Sequence, residues 1–209
     1  MTAIQEEREA FWVNYYAGKS PGDNELLDQP SPFAVQIQSS LEPGCTLLEI
    51  GCGNGRDSLF FAANNTTVIA TDICETAVRL AATKLPPHCR AFVASAKELP
   101  EDLLAEYAYA RFVLHALTEA EQRSLFVWLK THISKRIFIE TRSVNDPRCG
   151  KGTEVSRNAY VDTHYRRFMS SEDLTTAAAD AGLRIEHVCE TSPGSGNDGA
   201  VVLRAVLAA

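Results

Sequence analysis

The fold is indicated by one stretch of the chain, Leu47-Leu48-Glu49-Ile50-Gly51-Cys52-Gly53-Asn54-Gly55-Arg56-Asp57. Its beginning, Thr46–Ile50, is a short apolar run that predicts a buried parallel strand. Glycines at every second position then allow a sharp turn and a close approach to a ligand. The helix predicted over Arg56–Ala63 points free backbone N–H groups into the same crevice. Because open parallel sheets bind ligands beyond the carboxyl ends of their strands, this turn predicts a binding site.

Strands and helices alternate along most of the chain. The further predicted strands are Thr67–Thr71, Ala91–Ala94, one within Tyr107–Leu114, Arg136–Glu140, Leu183–Glu190 and Val201–Val206. The alternation predicts an α/β fold with a doubly wound, Rossmann-like sheet of seven strands, mostly parallel. No helix separates the last two strands, so they should form an antiparallel hairpin at the C-terminal edge.

Other elements follow from local signals. Helices are predicted over residues 3–17, Phe33–Leu41 and Glu75–Lys84, and two capping boxes, Thr118-x-x-Glu121 and Ser170-x-x-Asp173, begin two more. Loops are expected over Gly18–Pro32, Asn145–Thr163 and Ser192–Gly199. We expect one domain over residues 1–209, with residues 1–42 as a helical cap over the site and 43–209 as the core.

The composition narrows the class of protein. The net charge of −7 opposes nucleic-acid binding. No apolar run is long enough to span a bilayer, and the acidic N-terminus is unlike a signal or transit peptide. We therefore expect a cytoplasmic protein, a monomer or homodimer, with no membrane partner. The six cysteines are widely spaced, which predicts reduced thiols and no metal site.

The glycine spacing separates two kinds of cofactor site. A dinucleotide fingerprint G-x-G-x-x-G counted from Gly51 would place glycine at position 56, where the chain has Arg56. The pattern E-x-G-x-G-x-G instead resembles the first motif of class I S-adenosylmethionine (SAM)-dependent methyltransferases. Glu49 stands where aspartate is also common in that family. The resemblance extends from about Phe11 to the C-terminus in the order and length of the elements.

The resemblance implies a SAM site. Asp72 would accept hydrogen bonds from the ribose hydroxyls, Ile73, Ser95 and Ala96 would contact the adenine, and Arg111 and Phe112 would line the methionine end. The full predicted cofactor set is Trp12, Tyr16, Glu49, Gly51, Gly53, Gly55, Asp57, Asp72, Ile73, Ser95, Ala96 and Arg111. The alternatives are an N-cap role for Asp72 and a turn role for Ser95. The aromatic residues of the first helix could close over SAM or simply dock the helix.

Polar residues should cluster above the carboxyl ends of strands four and five. His115, Glu140 and His164 are the catalytic candidates, and Tyr15, Arg142, Tyr165, Arg166 and Arg167 are the substrate-binding candidates. A histidine titrates in a range useful for a general base, and arginine binds anions with two hydrogen bonds. The alternatives are structural hydrogen bonds for the histidines, an ion pair of Glu140 with Arg142, and solvent exposure of Arg166 or Arg167.

The stretch from Arg142 to Arg167 is basic in an acidic chain. It carries six cations (Arg142, Arg148, Lys151, Arg157, Arg166, Arg167) against three anions (Asp146, Glu154, Asp162). We hypothesise that it covers the site and receives a polar acceptor that carries a phosphate or carboxylate.

The motifs R-F-V-L-H-A-L, E-T-R and H-Y-R-R-F resemble a subgroup of small bacterial methyltransferases that tailor natural products or surface glycans. The resemblance implies O- or N-methylation of a small molecule, with S-adenosylhomocysteine as the other product. The alternatives are a non-catalytic SAM-binding protein on the same fold and a nicotinamide-dependent oxidoreductase, against which Arg56 argues.

Overall fold

The structure, a computed structural model, describes residues 10–16, 29–192 and 199–209. Residues 3–9 and 17 of the predicted first helix, most of the predicted loop Gly18–Pro32 and residues 193–198 of the predicted loop Ser192–Gly199 lie outside the described residues. Residues 10–16 are helical and are called α1 here.

The described elements alternate as expected. The further helices are α2 (Pro32–Gln38), α3 (Arg56–Ala63), α4 (Glu75–Lys84), α5 (Glu119–His132) and α6 (Ser171–Asp180). The strands are β1 (Thr46–Ile50), β2 (Thr67–Asp72), β3 (Arg90–Val93), β4 (Ala105–Arg111), β5 (Ile133–Arg142), β6 (Thr153–Ser156), β7 (Ala159–Val161), β8 (Tyr165–Arg167), β9 (Arg184–Thr191) and β10 (Val202–Ala208). A 3₁₀ turn at Leu114–Ala116 follows β4.

The main sheet has seven strands in the order β3-β2-β1-β4-β5-β10-β9. β1 to β5 are parallel, and β10 runs antiparallel to both β5 and β9. The strand order reverses between β1 and β4, because β2 and β3 lie on one side of this pair and β5 lies on the other. Such sheets bind ligands at this switch point. The predicted seven-stranded Rossmann-like sheet with its antiparallel C-terminal hairpin is confirmed.

Helices cover both faces of this sheet. On one face, Phe33 and Ile37 of α2 and Phe61 of α3 pack with Tyr107 and Tyr109 of β4. On the other face, the apolar sides of α5 and α6 pack on the alternate residues of β1, β4 and β5. Since α2 packs in this core layer, we assign it to the core of the domain rather than to the predicted cap over residues 1–42.

Several predicted boundaries shift for physical reasons. Both capping boxes are present, with Thr118 and Ser170 as the N-caps of α5 and α6. β4 ends at Arg111 because Phe112 adopts a left-handed conformation, φ 54°. β5 is longer than the predicted Arg136–Glu140 because α5 passes into it with no intervening loop, His132 being followed directly by Ile133.

The prediction that Asn145–Thr163 is wholly irregular is wrong. β6, β7 and β8 form a small antiparallel sheet. Only Arg157 and Asn158 separate β6 from β7, and Asn158 has φ 58°. Asparagine tolerates that left-handed conformation, so the Arg157-Asn158 pair is the hairpin signal that the sequence contained.

The glycine turn after β1 is tightly packed as well as sharp. Gly55 has φ +79°, and a Cβ added to it would lie 2.7 Å from both the Cα and the Cβ of Ala81 in α4. α3 and α4 therefore approach each other across a position where only hydrogen fits.

We predict that Gly55→Ala lowers the free energy of unfolding by about 2–4 kcal/mol, through strain at positive φ and through the clash with Ala81. Urea unfolding followed by circular dichroism measures it. Gly44→Ala is the matched control, since Gly44 also has φ +79° but, in the part of the chain that the structure describes, no atom lies within 4 Å of an added Cβ. Equal losses in the two variants would contradict the packing argument.

Candidate active site

The carboxylate of Asp72 braces the glycine turn. Its Oδ2 accepts from the backbone N–H of Gly53 at 2.9 Å, and its Oδ1 accepts from that of Cys74 at 2.9 Å. The N-cap of α4 is Cys74, so the alternative N-cap role for Asp72 is wrong. Burial raises the pKa of Asp72, although the two N–H donors oppose the shift. The side chain lies at the carboxyl end of β2, beside the turn, where the predicted ribose contact requires it.

The ends of β2 and β3 continue this edge of the site. The N–H of Ala94 donates to the carbonyl of Asp72 at 3.0 Å, so the two strands end side by side. Ile73, Ser95 and Ala96 follow them and are half-buried. The Ser95 hydroxyl also accepts a long hydrogen bond, 3.5 Å, from the N–H of Lys97, as a turn residue would. Their adenine contacts stay a prediction.

α1 lies over the glycine turn. A Cβ on Gly53 would clash with the Tyr16 hydroxyl oxygen, and the Cys74 thiol donates to the Val13 carbonyl at 3.9 Å. Burial, followed by the nearby Asp72 carboxylate, raises the pKa of Tyr16. The left-handed Gly53 thus presents its backbone toward α1.

Glu49 and Asp57 form a buried acidic pair behind the turn. Asp57 accepts from the N–H and hydroxyl of Ser31 at 2.7 and 2.8 Å, and from the Tyr109 hydroxyl at 2.9 Å. The Ser58 hydroxyl donates to Glu49. Burial, then the Asp57 charge, raises the pKa of Glu49 to about 8. We assign Asp57 to anchoring α2 to the turn rather than to direct cofactor contact, because its oxygens already have partners.

Glu140 joins two arginines at the carboxyl end of β5. Its Oε1 lies 2.8 Å from Arg111 Nε and its Oε2 lies 2.7 Å from Arg204 Nε. The predicted alternative of an ion pair with Arg142 is wrong, because Arg142 pairs with Asp146 at 2.6 Å. Arg204 lies on β10, directly opposite Glu140 on the neighbouring strand β5. This partner of Glu140 follows from the pairing of the two strands, and the sequence analysis missed it. Glu140 is fully buried, so we assign it to holding Arg111 in place.

Phe112 separates the two site arginines. The guanidinium carbons of Arg111 and Arg142 lie 4.6 and 5.4 Å from its ring centroid. A bulky residue at positive φ is strained and persists only where surrounding contacts impose it. No local pattern in the sequence predicts this conformation, because phenylalanine rarely adopts it.

His115 and His164 meet the rings of α1. Trp12 lies edge-on to both imidazoles, with centroids at 6.0 and 5.5 Å, and Phe11 stacks on His164 at 3.8 Å. Burial, then Arg142, lowers the pKa of His115 well below its usual range. Burial, then Arg166, lowers the pKa of His164 to about 4. Both imidazoles are therefore neutral at neutral pH. His115 is 3% exposed, and its buried Nδ1 has no hydrogen-bond partner among the described residues.

The motif Tyr165-Arg166-Arg167 is divided between two faces of β8. Tyr165 donates to the Leu117 carbonyl at 3.5 Å, and Arg167 pairs with Glu119 at 3.1 Å, so both face the start of α5. Arg166 points the other way, pairs with Asp162 and contributes to the lowered pKa of both histidines. The expectation that Arg166 or Arg167 is exposed is wrong, since they are 8% and 5% exposed.

Most of the predicted residues thus fall into two groups. Tyr16, the glycines and Asp72 surround the turn, while Arg111, Arg142, Arg166 and the two histidines surround Phe112 and Trp12. Tyr15 lies at the rim of α1, 43% exposed, with its ring 5.0 Å from that of Tyr16. Within the described residues, no three His, Cys, Asp or Glu side chains come together as metal ligands would, and no helix has the length and apolar character needed to cross a bilayer.

The comparisons with known proteins agree with this geometry. A family model described as a methyltransferase domain matches residues 47–135, from β1 to the start of β5. That range contains the glycine turn, Asp72, Arg111 and His115. This match and the fold together identify the chain as a SAM-dependent methyltransferase. No curated protein matches the methyltransferase by sequence.

Solved structures share the fold of the methyltransferase at low identity. A 1,6-didemethyltoxoflavin N1-methyltransferase from Burkholderia thailandensis, solved with 1,6-didemethyltoxoflavin and S-adenosylhomocysteine, has a TM-score of 0.75 at 17% identity over 100% of this chain and 91% of that one. A SAM-dependent methyltransferase from Methanosarcina mazei has 0.73 at 15% identity, over 86% and 98%. A magnesium protoporphyrin IX methyltransferase from Synechocystis, solved with SAM, has 0.65 at 14% identity, over 96% of each chain.

The residues present fit SAM. The three left-handed glycines form a turn without side chains, and the Asp72 carboxylate lies against it. Tyr16 of α1 lies against the same turn, and an aromatic ring favours a nearby sulfonium.

We predict that Glu49 makes the stability of the methyltransferase fall with rising pH. Its pKa is raised on folding, so its contribution is complete below about pH 4.5 and is lost as the pH approaches 8. Relative to Glu49→Gln, the wild-type free energy of unfolding should fall by about 1–3 kcal/mol between pH 5 and 8, measured by urea unfolding. Glu98→Gln, at an exposed position, is the control. Parallel profiles of wild type and Glu49→Gln would contradict the shift.

Proposed function

We propose that this methyltransferase transfers the methyl group of SAM to a polar, anionic small molecule, by O- or N-methylation, in bacterial natural-product or surface-glycan biosynthesis. The observation that carries the proposal is the group of largely buried arginines, Arg111, Arg142 and Arg166, around neutral histidines at the carboxyl ends of β4 and β5. Because Arg204 shares Glu140 with Arg111, four guanidiniums here meet three carboxylates, and this excess of positive charge in a chain of net charge −7 favours an anionic ligand.

The cofactor side is formed by the turn. We propose that Asp72 binds the ribose hydroxyls, that Ile73, Ser95 and Ala96 contact the adenine, and that Glu49 and Arg111 face the methionine end. When bound, SAM supplies a methyl group on a positively charged sulfonium. Trp12 and Tyr16 favour that charge through their ring faces and exclude water from the site.

The acceptor side is formed by the cluster beyond Phe112. Arg142 and Arg166 bind the anionic group, and the buried Nδ1 of His115 offers a hydrogen bond to the acceptor. Held in this way, the nucleophilic atom is oriented for in-line transfer, and such positioning supplies much of the rate enhancement. His164 and Phe11 form one wall of the acceptor site, with Tyr15 at its rim.

The names of similar solved proteins support a small-molecule acceptor. One of those proteins is named for 1,6-didemethyltoxoflavin and another for magnesium protoporphyrin IX. The acidic chain makes nucleic acid a poor partner. The cytoplasmic location and the monomer or homodimer state stay predictions.

We predict that the protein binds SAM and S-adenosylhomocysteine but not NAD, measured by isothermal titration calorimetry. Asp72→Asn should weaken SAM binding about 10- to 100-fold, because a charged hydrogen-bond acceptor is lost. Asp180→Asn, at an exposed position at the end of α6, is the control. Tritium transfer from labelled SAM to a panel of small acids, sugars and amines tests catalysis. Tight SAM binding with no transfer would favour the non-catalytic alternative.

We predict that the two adjacent arginines of β8 differ in their effects. Arg166→Ala should lower kcat/KM about 10- to 100-fold with SAM affinity unchanged, since it removes an acceptor contact. Arg167→Ala should mainly lower stability, because Arg167 joins β8 to Glu119 and to the Arg157 carbonyl. Steady-state kinetics and urea unfolding separate the effects. Unchanged turnover in Arg166→Ala would refute the acceptor role.

A further inference from the structure

The acceptor cluster has cations but no group suited to remove a proton. Arg111, Arg142 and Arg166 each contribute to the lowered pKa of His115. Each guanidinium also has a carboxylate partner, Glu140, Asp146 and Asp162 respectively. A general base must have a free lone pair and a pKa near the working pH. Among the described residues of this cluster, the candidates for a general base are the three carboxylates and the two histidines.

The carboxylates are occupied. Glu140 Oε2 accepts a hydrogen bond from Arg204 Nε, and its Oε1 forms an ion pair with Arg111 at 2.8 Å. Asp146 accepts from Arg142 and the Val201 N–H through Oδ2, and from the Arg148 N–H through Oδ1. Burial of Asp162 opposes ionisation, but the Thr163 N–H and the Arg166 charge lower its pKa to about 2. Each of the three is paired with an arginine, and protonation would weaken that ion pair.

The histidines are poor bases for a different reason. His115 is buried among Trp12, Phe112 and the arginines, and His164 is stacked on Phe11 beside Arg166. An imidazolium at either place would add a like charge to the cluster. The unpartnered Nδ1 of His115 can form a hydrogen bond with a ligand, but the surroundings resist its protonation.

We propose, resting on the methyl transfer of the proposed function, that the nucleophile is a carboxylate of the acceptor and that the product is a methyl ester. A carboxylate arrives already ionised at neutral pH, so no proton has to be removed. It is also the anion that a guanidinium cluster attracts. An ammonium group would be repelled, and a phenol or alcohol would need a base that this cluster does not provide.

The step balances without a proton. One carboxylate oxygen forms a bond to the methyl carbon as the bond from that carbon to the sulfonium sulfur breaks, and the electron pair of the broken bond stays on sulfur. An anion and a cation become a neutral ester and S-adenosylhomocysteine with a neutral sulfur. Charge neutralisation of this kind is favoured where the reacting groups are removed from water.

The test uses the full chain with tritiated methyl-SAM and an unfractionated small-molecule extract of bacterial cells. The labelled product is divided, and one half is treated with mild alkali. Methyl esters then release their label as volatile methanol, whereas methyl ethers and N-methyl groups keep it. We expect nearly all the label in the volatile fraction. Alkali-stable label would overturn the carboxylate assignment while leaving methyl transfer intact, and SAM binding without any label would overturn both.

Variants connect the product to this cluster. Arg166→Ala should lower formation of the alkali-labile product about 10- to 100-fold with SAM binding unchanged. Arg123→Ala, which removes an exposed arginine of α5, should leave it unchanged. Equal yields of alkali-labile product from Arg166→Ala and wild type would overturn the role of the cluster.

Discussion

Three glycines of one turn determine how closely the surrounding elements approach. A Cβ on Gly51 would lie 2.6 Å from Val113 beyond β4, one on Gly53 would meet Tyr16 of α1, and one on Gly55 would meet Ala81 of α4. Each glycine thus contacts a different part of the chain. The same backbone that leaves room for a ligand also fixes α1, α4 and the end of β4 around it, so ligand binding and packing share one constraint.

Several polar and charged side chains near this turn lie on one face of the sheet. Glu49, Tyr109, Arg111 and Glu140 project from alternate positions of three neighbouring strands toward α2, where Ser31 meets Asp57 and Gln36 meets Arg204. Buried charges are tolerated only when they are paired and hydrogen-bonded. Each guanidinium of the arginine cluster is held by a carboxylate before an acceptor arrives, so the cluster is preorganised.

Much of this could be predicted from local signals. The E-x-G-x-G-x-G spacing and the alternation of elements predicted the fold, the turn and the position of Asp72, because these depend on backbone conformation and short-range order. The partners of Glu140 and the two faces of β8 could not be predicted, since they depend on which strands become neighbours. Phe112 was beyond sequence reasoning because its φ is imposed by tertiary contacts.

α5 ends at His132 and β5 begins at Ile133, so no loop between them can absorb an inserted or deleted residue. His132 is fixed there by its ring stacked on Trp128, with centroids 4.1 Å apart. Because side chains alternate along a strand, adding or deleting one residue at this junction would exchange the two faces of β5. Glu140 would turn into the apolar layer under α5, and Ile139 would face the arginines. Evolution can lengthen the loops of this enzyme, but natural variants should keep the distance from Trp128 to Glu140 constant.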